Sequence, residues 1–376
     1  INLSKLLFRL QQRVIDPNRK FLGGMDLQVA DYAPLLMSAF NSKEGAAMLG
    51  SLFGISSGEI KGIGVDVGTF DLAIESLDGR INLNCGGGAN PSSPSVVRMA
   101  AGLTAMMMAP RYNRLFEEPD ANGEYADRLE ILRAIIDWVD QDTVMFGSSA
   151  VEDYRYNQGK DKYENKNQYF DTIDELYLVK GIEEDWMDAF RDAVTVYGEC
   201  KVNVNIATPT TIVALILQYA ESPTHPSMRW ENIMLLSRYV IHLRDYFGGF
   251  KDAESFARAI ADPMDVTLEA YKKGIGGLST SGTSSTSSTS TTSTAPTNVK
   301  AYENSLPGVI GVPIKKKPLM EAIVAGGPRR IYQISSMAEV GHIKKKITAI
   351  WDMKLIPMSR AQAQAGPGGY LYWREE

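Results

Sequence analysis

The chain has 376 residues, of which 44% are hydrophobic and 22% charged, an ordinary globular composition that suggests two or three domains. Its net charge is −6, but residues 117–199 alone carry 22 acidic and 8 basic side chains. A surface this negative argues against nucleic acid as a partner, because affinity for nucleic acid comes mostly from neutralised phosphates. Only three histidines occur, far apart in the sequence, which argues against a histidine-based zinc site.

The first fifteen residues predict a helix that ends near Asp16 and Pro17. Its apolar side chains recur at helical spacing, at Leu3, Leu6, Leu7, Leu10 and Val14. No capping residue precedes this stripe, so we expect that a further segment comes before Ile1. The sequence contains no run of about 18 apolar residues that would predict a membrane span.

Residues 60–83 change to a period of two, in which residues such as Val65 and Ile74 alternate with small or polar ones. Asp78-Gly79 is a tight-turn sequence, so we predict a β-hairpin that continues into residues 81–84. From residue 86 to about 275 the pattern is helical. The predicted helices lie at residues 96–108, from 131 onward, and at 173–179, 186–196, 211–220, 228–246 and 252–261.

The helix that begins at Ile131 runs into an acidic loop, with carboxylates at Asp137, Asp140, Asp142, Glu152 and Asp153. Carboxylates this close repel each other unless a positive charge lies among them. Calcium is one such charge, because it takes oxygen ligands in irregular loops. A solvated acidic loop is the alternative, since the spacing lacks the rest of an EF-hand pattern. A hydrolase pair, Asp137 with Glu152 or Asp140 with Asp153, is a further alternative, but the stretch has no histidine and no obvious nucleophile.

A short string occurs twice, as RINLN at residues 80–84 and as KVNVN at residues 201–205. Each copy has a cysteine beside it, Cys85 or Cys200, and each leads to a helix opened by a proline, Pro94 or Pro209. The repeat predicts two small helical units that begin in the same way. The two cysteines are either free thiols or one disulfide, depending on the redox compartment.

Residues 276–297 are almost entirely Gly, Ser and Thr, which is typical of a flexible linker. After it the period of two returns, with strand candidates at residues 331–334, 339–343, 347–353 and 370–373. We expect the lysines at 344–346 to be solvated between strands, as lysines at sheet edges are. We also expect these strands to pair with residues 60–83, which would make the helical region an insertion within a β-domain.

Several motifs occur in an order that is similar to one family. They are DGRINLN at 78–84, DWVDQD at 137–142, EDY at 152–154, YFDTIDELYLVKG at 169–181, KVNVNIATP at 201–209 and YWRE at 372–375. Together they resemble the K-type minor pseudopilin of the type II, or general, secretion system. The resemblance runs along the whole chain and is strongest at residues 78–215.

The resemblance implies an α+β fold, in which a pilin-like N-terminal helix and an antiparallel sheet carry a large all-α insertion of two SAM-like bundles. On this basis we divide the chain into the N-terminal helix and first strands (1–83), a first SAM-like domain (84–200), a second SAM-like domain (201–275), the Ser/Thr-rich linker (276–298) and the C-terminal strands (299–376).

The resemblance also implies a function. Such proteins are not enzymes; they lie at the tip of the periplasmic pseudopilus, initiate or cap its assembly, and support protein export across the outer membrane. Their expected partners are the I- and J-type minor pseudopilins, with secreted substrates as a further expectation. An N-terminal helix holds them in the inner membrane, so the expected location is its periplasmic face.

Two site assignments follow from the resemblance. The acidic motif is expected to hold a structural calcium ion through Asp137, Asp140, Asp142, Glu152 and Asp153, and Cys85 is expected to bridge Cys200. The main rival is a DNA-binding or DNA-uptake protein of the cell envelope, since residues 202–209 also resemble the start of a helix-hairpin-helix module. The acidic balance of residues 117–199 opposes that rival.

Overall fold

The computed structural model describes residues 2–18, 27–34, 37, 69–88, 90–119, 123, 125–152, 154, 156–157, 162–264, 309–355 and 368–376. The Ser/Thr-rich linker, the first part of the predicted hairpin (60–68) and Asp153 lie outside these residues. Among the helices in the described ranges, none combines the length and the apolar character that crossing a membrane requires.

The helices and strands are numbered in chain order. The helices are α1 Asn2–Leu10, α2 Pro94–Met107, α3 Arg114–Glu117, α4 Arg128–Val139, α5 Glu184–Phe190, α6 Pro209–Tyr219, α7 Trp230–Phe247, α8 Ala253–Ala261 and α9 Lys316–Ala322. The strands are β1 Thr69–Ser76, β2 Ile81–Asn82, β3 Val194–Thr195, β4 Val202–Asn203, β5 Ile323–Val324, β6 Ile331–Val340, β7 Ile343–Asp352 and β8 Gly369–Glu375. Helix α1 continues through a π-helical stretch, Gln11–Ile15, into a last turn at Asp16–Asn18.

The main sheet has four antiparallel strands in the order β1-β6-β7-β8. Its alternating side chains place Leu72, Ile334 and Trp351 on one face, where they are buried. Helix α1 packs on this face through Phe8, whose ring centroid lies 4.8 Å from that of Tyr332 and 6.0 Å from that of Trp351. The predicted pairing of the C-terminal strands with a strand before residue 83 is therefore confirmed, and the helical region is inserted between β1 and β6.

The predicted hairpin across Asp78-Gly79 is wrong. Strand β2 pairs in parallel with β3 instead of folding back on β1. The reason is that Asp78 is already engaged: its carboxylate accepts the N–H groups of Arg330 and Ile331, and its carbonyl accepts the N–H of Asn203. The turn therefore anchors the start of β6 and sends the chain into the insertion.

The predicted strand at residues 339–343 is also wrong, because it spans a turn. Strands β6 and β7 form one long hairpin that reverses at Gly341, which has a φ of +60°, and His342. The lysines at 344–346 lie within β7, not between strands, and they are exposed. All three form ion pairs, Lys344 with Glu339 at 3.2 Å, Lys345 with Glu375 at 2.6 Å and Lys346 with Glu376 at 3.5 Å. The end of the hairpin near Gly341 is solvated on both faces, so apolar and polar residues do not alternate regularly there.

The insertion has two adjacent hydrophobic cores. The first gathers α2, α4 and α5, with Leu103, Ile135 and Phe190 fully buried. The second gathers α6 to α9, with Phe256 and Leu319 fully buried. Helix α5 is shorter than predicted, because the chain turns from residue 191 and then forms β3. The helix predicted at 173–179 is a 3₁₀ helix at Ile173–Leu178.

Residues 309–325 belong with the second core. Helix α9 was not predicted, yet it packs on α8, and Val312 and Leu319 are fully buried there. Strand β5 pairs in parallel with β4, at Val202 opposite Ile323. The second helical unit is thus completed by a segment from beyond the linker, which the sequence division had assigned to the C-terminal strands.

The repeated string has the same geometry in both copies. Each begins with a two-residue parallel pairing, β2 with β3 and β4 with β5. The amide of Asn84 donates to the carbonyl of Phe170 at 3.0 Å and accepts its N–H at 2.8 Å. Asn205 does the same with Phe250, at 2.9 Å and 2.7 Å. The predicted repeat of two similarly begun helical units is confirmed by these contacts.

A disulfide joins Cys85 to Cys200, whose Cα atoms lie 5.7 Å apart across a sequence separation of 115 residues. Cys85 follows the first copy of the repeat and Cys200 precedes the second. The bridge therefore ties the starts of the two helical units together.

Candidate metal centre

The candidate site forms where α4 ends. The helix begins under an Asp127 cap, whose carboxylate accepts the N–H groups of Leu129 and Glu130. Its apolar stripe is buried in the first core, and it stops at Asp140, the C-cap residue. The unpaired carbonyls of a helix C-terminus carry partial negative charge, so this end of α4 favours a cation.

A small hairpin at residues 143–152 brings the later acidic residue back to the helix end. The N–H of Met145 donates to the carbonyl of Ala150 at 3.0 Å, and the N–H of Glu152 donates to the carbonyl of Thr143 at 3.2 Å. Gly147 has a φ of +71°, a conformation that glycine adopts without strain, and it makes the reversal possible. The fold thus places Glu152 beside Asp142 although ten residues separate them in sequence.

Three of the predicted carboxylates meet in one cluster. One oxygen from each of Asp140, Asp142 and Glu152 lies within 4.8 Å of the others. Asp140 is only 5% exposed. One oxygen of Asp140 and one of Glu152 are buried without a hydrogen-bond partner among the described residues. Buried carboxylate oxygens without donors are costly unless a cation or ordered water meets them.

Two asparagines that the sequence reasoning missed complete this cluster. Asn165 donates to the Glu152 carboxylate at 2.6 Å and to the carbonyl of Asp137 at 3.2 Å. Asn167 donates to the carbonyl of Asp142 at 3.1 Å, with its backbone at a φ of +48°. The side-chain oxygens of both asparagines are buried without a donor among the described residues. In the sequence, the Asn-Lys-Asn string at 165–167 is the signal that indicates them, because a search for closely spaced carboxylates does not include amide side chains.

Asp137 lies beside the cluster but has another role. It is completely buried, and its two oxygens accept the hydroxyl of Tyr154 at 2.6 Å and the N–H of Phe146 at 2.8 Å. Burial raises its pKa, and these two hydrogen bonds oppose the rise. Through these two hydrogen bonds Asp137 holds the hairpin against α4, and it lies outside the group formed by Asp140, Asp142 and Glu152. Asp153, the fifth expected ligand, lies outside the described residues.

Burial and the neighbouring carboxylates raise the pKa values of Asp140 and Glu152. Burial, followed by the charges of Asp142, Asp137 and Glu152, raises the pKa of Asp140 to about 7. Burial also raises the pKa of Glu152, with further rises from Asp137 and Asp142. The described donor set is three carboxylates, with the unpaired side-chain oxygens of Asn165 and Asn167 on residues that contact them, and all of these are oxygens. Oxygen ligands are the chemistry of a hard cation such as calcium. These residues fit such an ion.

Comparison with known proteins gives two findings. The family model described as type II secretion system (T2SS), protein K, matches residues 79–199. A chain in the crystal structure of the GspK–GspI–GspJ complex from the type 2 secretion system of enterotoxigenic Escherichia coli is similar, with a TM-score of 0.49 and 15% sequence identity, over 83% of this chain and 81% of that chain. Among curated proteins no sequence matches. The family match covers Cys85 and the whole acidic cluster, within the stretch where the sequence resemblance is strongest.

Proposed function

We propose that this chain is a minor pseudopilin of the type II secretion system, and that it lies at the tip of the pseudopilus, where it initiates or caps assembly. The proposal is supported by the match of residues 79–199 to the family model described as type II secretion system (T2SS), protein K. Proteins of this family are structural components of the secretion apparatus, not enzymes. The family match is the observation that carries the proposal. The position of the helical region, inserted between β1 and β6 of a small antiparallel sheet, supports it.

The proposed mechanism is mechanical. Subunits of a pilus pack side by side, and an insertion of residues 77–330 leaves no room for a neighbour above it. Such a subunit is tolerated only at the end of the fibre. We propose that it associates there with the I- and J-type minor pseudopilins on the periplasmic face of the inner membrane, and that it contacts secreted substrates. The Cys85–Cys200 disulfide suits an oxidising compartment of this kind.

A deletion tests the mechanical role. Replacing residues 79–329 with an Asn-Gly turn would join β1 directly to β6, because Ser76 already lies opposite Tyr332. In secreting cells, immunogold labelling should find the full chain only at fibre ends and the shortened chain along the fibre. Co-purification with the I- and J-type subunits shows whether the shortened chain still assembles. If it assembles and remains confined to the tip, bulk is not the cause.

We also propose that the cluster at the end of α4 holds a structural calcium ion. Asp140, Asp142 and Glu152 would supply charge, and Asn165 and Asn167 would supply neutral oxygens. A bound ion offsets the repulsion among the carboxylates and fixes the hairpin to the helix end. Its proposed role is structural, since it would add to the hydrogen bonds by which Asn165, Asn167 and Asp137 already join three chain segments.

Calcium titration of the chelator-treated protein by calorimetry tests this site. Saturable binding is expected, and Asp140→Asn should weaken it at least about tenfold, because one charged ligand is lost. The matched control is Asp188→Asn, which removes an exposed carboxylate from α5 in the same helical unit. Equal affinity in both variants would show that calcium binds elsewhere.

The DNA-binding alternative is not favoured by the family match. A filter-binding assay with DNA at low salt discriminates between the two functions. The acidic first unit should leave DNA unbound at micromolar protein, and saturable binding would revive that alternative.

A further inference from the structure

A second feature of the first helical unit lies away from the carboxylate cluster. A cleft of about 640 Å³ opens between the chain from α3 to the start of α4 and the turn that leads into α5. Its apolar wall comes from Leu115, Phe116 and Trp186. Tyr125 stands at its side with most of its ring exposed. None of the carboxylates of the candidate metal centre lines it.

The remaining lining is strongly acidic. Five carboxylates and two basic side chains face the cleft. One base, Arg114, is neutralised by Glu118 at 2.9 Å. The carboxylates of Glu130, Glu183 and Asp185 are exposed and form no ion pair with any residue that the structure describes. The cleft therefore presents unbalanced negative charge beside an apolar wall.

The wall also contains an unused hydrogen-bond donor. Trp186 is 3% exposed, and its indole N–H has no acceptor within the described ranges of the chain. A buried donor of this kind is normally paired, and a main-chain carbonyl is its usual partner. The nitrogen has almost no exposed surface, so the carbonyl of a bound peptide reaches it only when the side chains over it shift.

From these observations we infer that the cleft binds a basic, partly apolar segment of a partner protein. Lysine or arginine side chains would meet the three unpaired carboxylates, and an apolar side chain between them would lie against Phe116 and Trp186. Nucleic acids and acidic peptides are rejected by the like charge of the cleft. A metal ion is a poor occupant, since among the described residues the carboxylates of this cleft do not converge within ligand distance. Neither the proposed calcium ion nor the proposed tip role uses this cleft.

The probe is a fluorescein-labelled heptapeptide, Lys-Leu-Lys-Leu-Lys-Leu-Lys, titrated with the whole protein and followed by fluorescence anisotropy. Saturable binding is expected at about 0.15 M salt. The same peptide with glutamate in place of lysine should not bind. Absence of binding by the lysine peptide, or equal binding by the glutamate peptide, overturns the inference.

A triple variant locates the binding. Glu130→Gln, Glu183→Gln and Asp185→Asn together should weaken the lysine peptide at least about tenfold, because three charge contacts are lost. All three side chains are exposed, so the variant should fold, and its melting curve checks this.

A matched control removes the same charge elsewhere. Glu221→Gln, Glu231→Gln and Glu254→Gln are exposed positions of the second helical unit. This variant should keep the affinity of the unmodified protein within about twofold, since the cleft is untouched. An equal loss in both triple variants would show attraction by net charge alone and overturn the cleft as the binding site.

Discussion

Asp140 gives the sharpest prediction, because one substitution should stabilise the calcium-free protein and at the same time reduce the stabilisation that calcium adds. Asp140→Asn keeps the shape of the side chain and removes its charge. In the calcium-free protein this carboxylate is buried beside three other acidic residues, Asp137, Asp142 and Glu152, whose negative charges repel it. The asparagine should relieve this repulsion. In the calcium-loaded protein it should weaken the ligand set.

The magnitude follows from the raised pKa. The shift from 3.8 to about 7 corresponds to about 4 kcal/mol at 1.36 kcal/mol per unit. This is an upper value, since neighbouring carboxylates can take up a proton in place of Asp140. Calcium at about a hundred times its dissociation constant would add about 2.7 kcal/mol to the unmodified protein. The two effects are therefore comparable in size and opposite in sign.

The pH dependence has a definite direction. Because the folded-state pKa of Asp140 lies above its unfolded value, the folded state binds more protons between about pH 4 and pH 7. The calcium-free protein should lose stability as pH rises through that window and change little from this group above it. Asp140→Asn should show a shallower decline.

The assay is urea unfolding followed by tryptophan fluorescence, at pH 5 and pH 8, with calcium and with a chelator. At pH 8 in chelator, Asp140→Asn should unfold at higher urea than the unmodified protein. With calcium, the difference between the urea midpoints of Asp140→Asn and the unmodified protein should shrink or change sign. Asp188→Asn should have the midpoint of the unmodified protein under all four conditions. If Asp140→Asn is no more stable in chelator and its response to calcium is unchanged, the proposed role of this carboxylate is refuted.

Three further predictions concern contacts that hold the insertion together. Tyr154→Phe removes a donor to the buried carboxylate of Asp137 and should lower the free energy of unfolding by about 1–3 kcal/mol, measured by urea denaturation; no change would mean that water replaces the hydroxyl. Replacing both Cys85 and Cys200 with serine should lower the free energy of unfolding by about 4–5 kcal/mol on the chain-entropy model, measured by urea denaturation. A reductant should lower the stability of the unmodified protein by the same amount and leave that of the variant unchanged. Asn205→Ala leaves the carbonyl and the N–H of Phe250 unpaired and should lower the free energy of unfolding by about 2–4 kcal/mol. Amide hydrogen exchange should then become faster in the second helical unit than in the first. Equal acceleration in both units would contradict two separate cores.

Much of the architecture could be predicted because it is local. The apolar residues of 131–139 and 211–219 mark two helices whose side chains are almost all buried, and the proline openings and the Asp252 cap mark where helices begin. The repeated asparagine strings predicted two similar units because each string carries its own hydrogen-bond pattern. The pairing of the C-terminal strands with an earlier strand followed from their common period of two.

The acidic cluster was predicted only in part. Carboxylates close in sequence were visible, but which of them share a centre depends on the hairpin at 143–152. Asp137 lies outside the group of three carboxylates, and its oxygens accept hydrogen bonds from Tyr154 and a backbone N–H. Asn165 and Asn167 lie against that group because the chain returns past the helix end about 25 residues later. These are contacts between segments, and spacing in sequence does not encode them.

The sequence by itself determined the helical or extended character of most segments, the internal repeat and the presence of an insertion within a sheet. The first two depend on side chains a few residues apart, and the third was inferred from the period of two that the early and late strands share. Only the tertiary structure decided that β2 pairs with β3, that α9 completes the second core, and that an acidic cleft faces solvent beside α5. Those outcomes depend on which distant segments bury apolar surface and satisfy main-chain hydrogen bonds together, and that competition is settled across the whole chain at once.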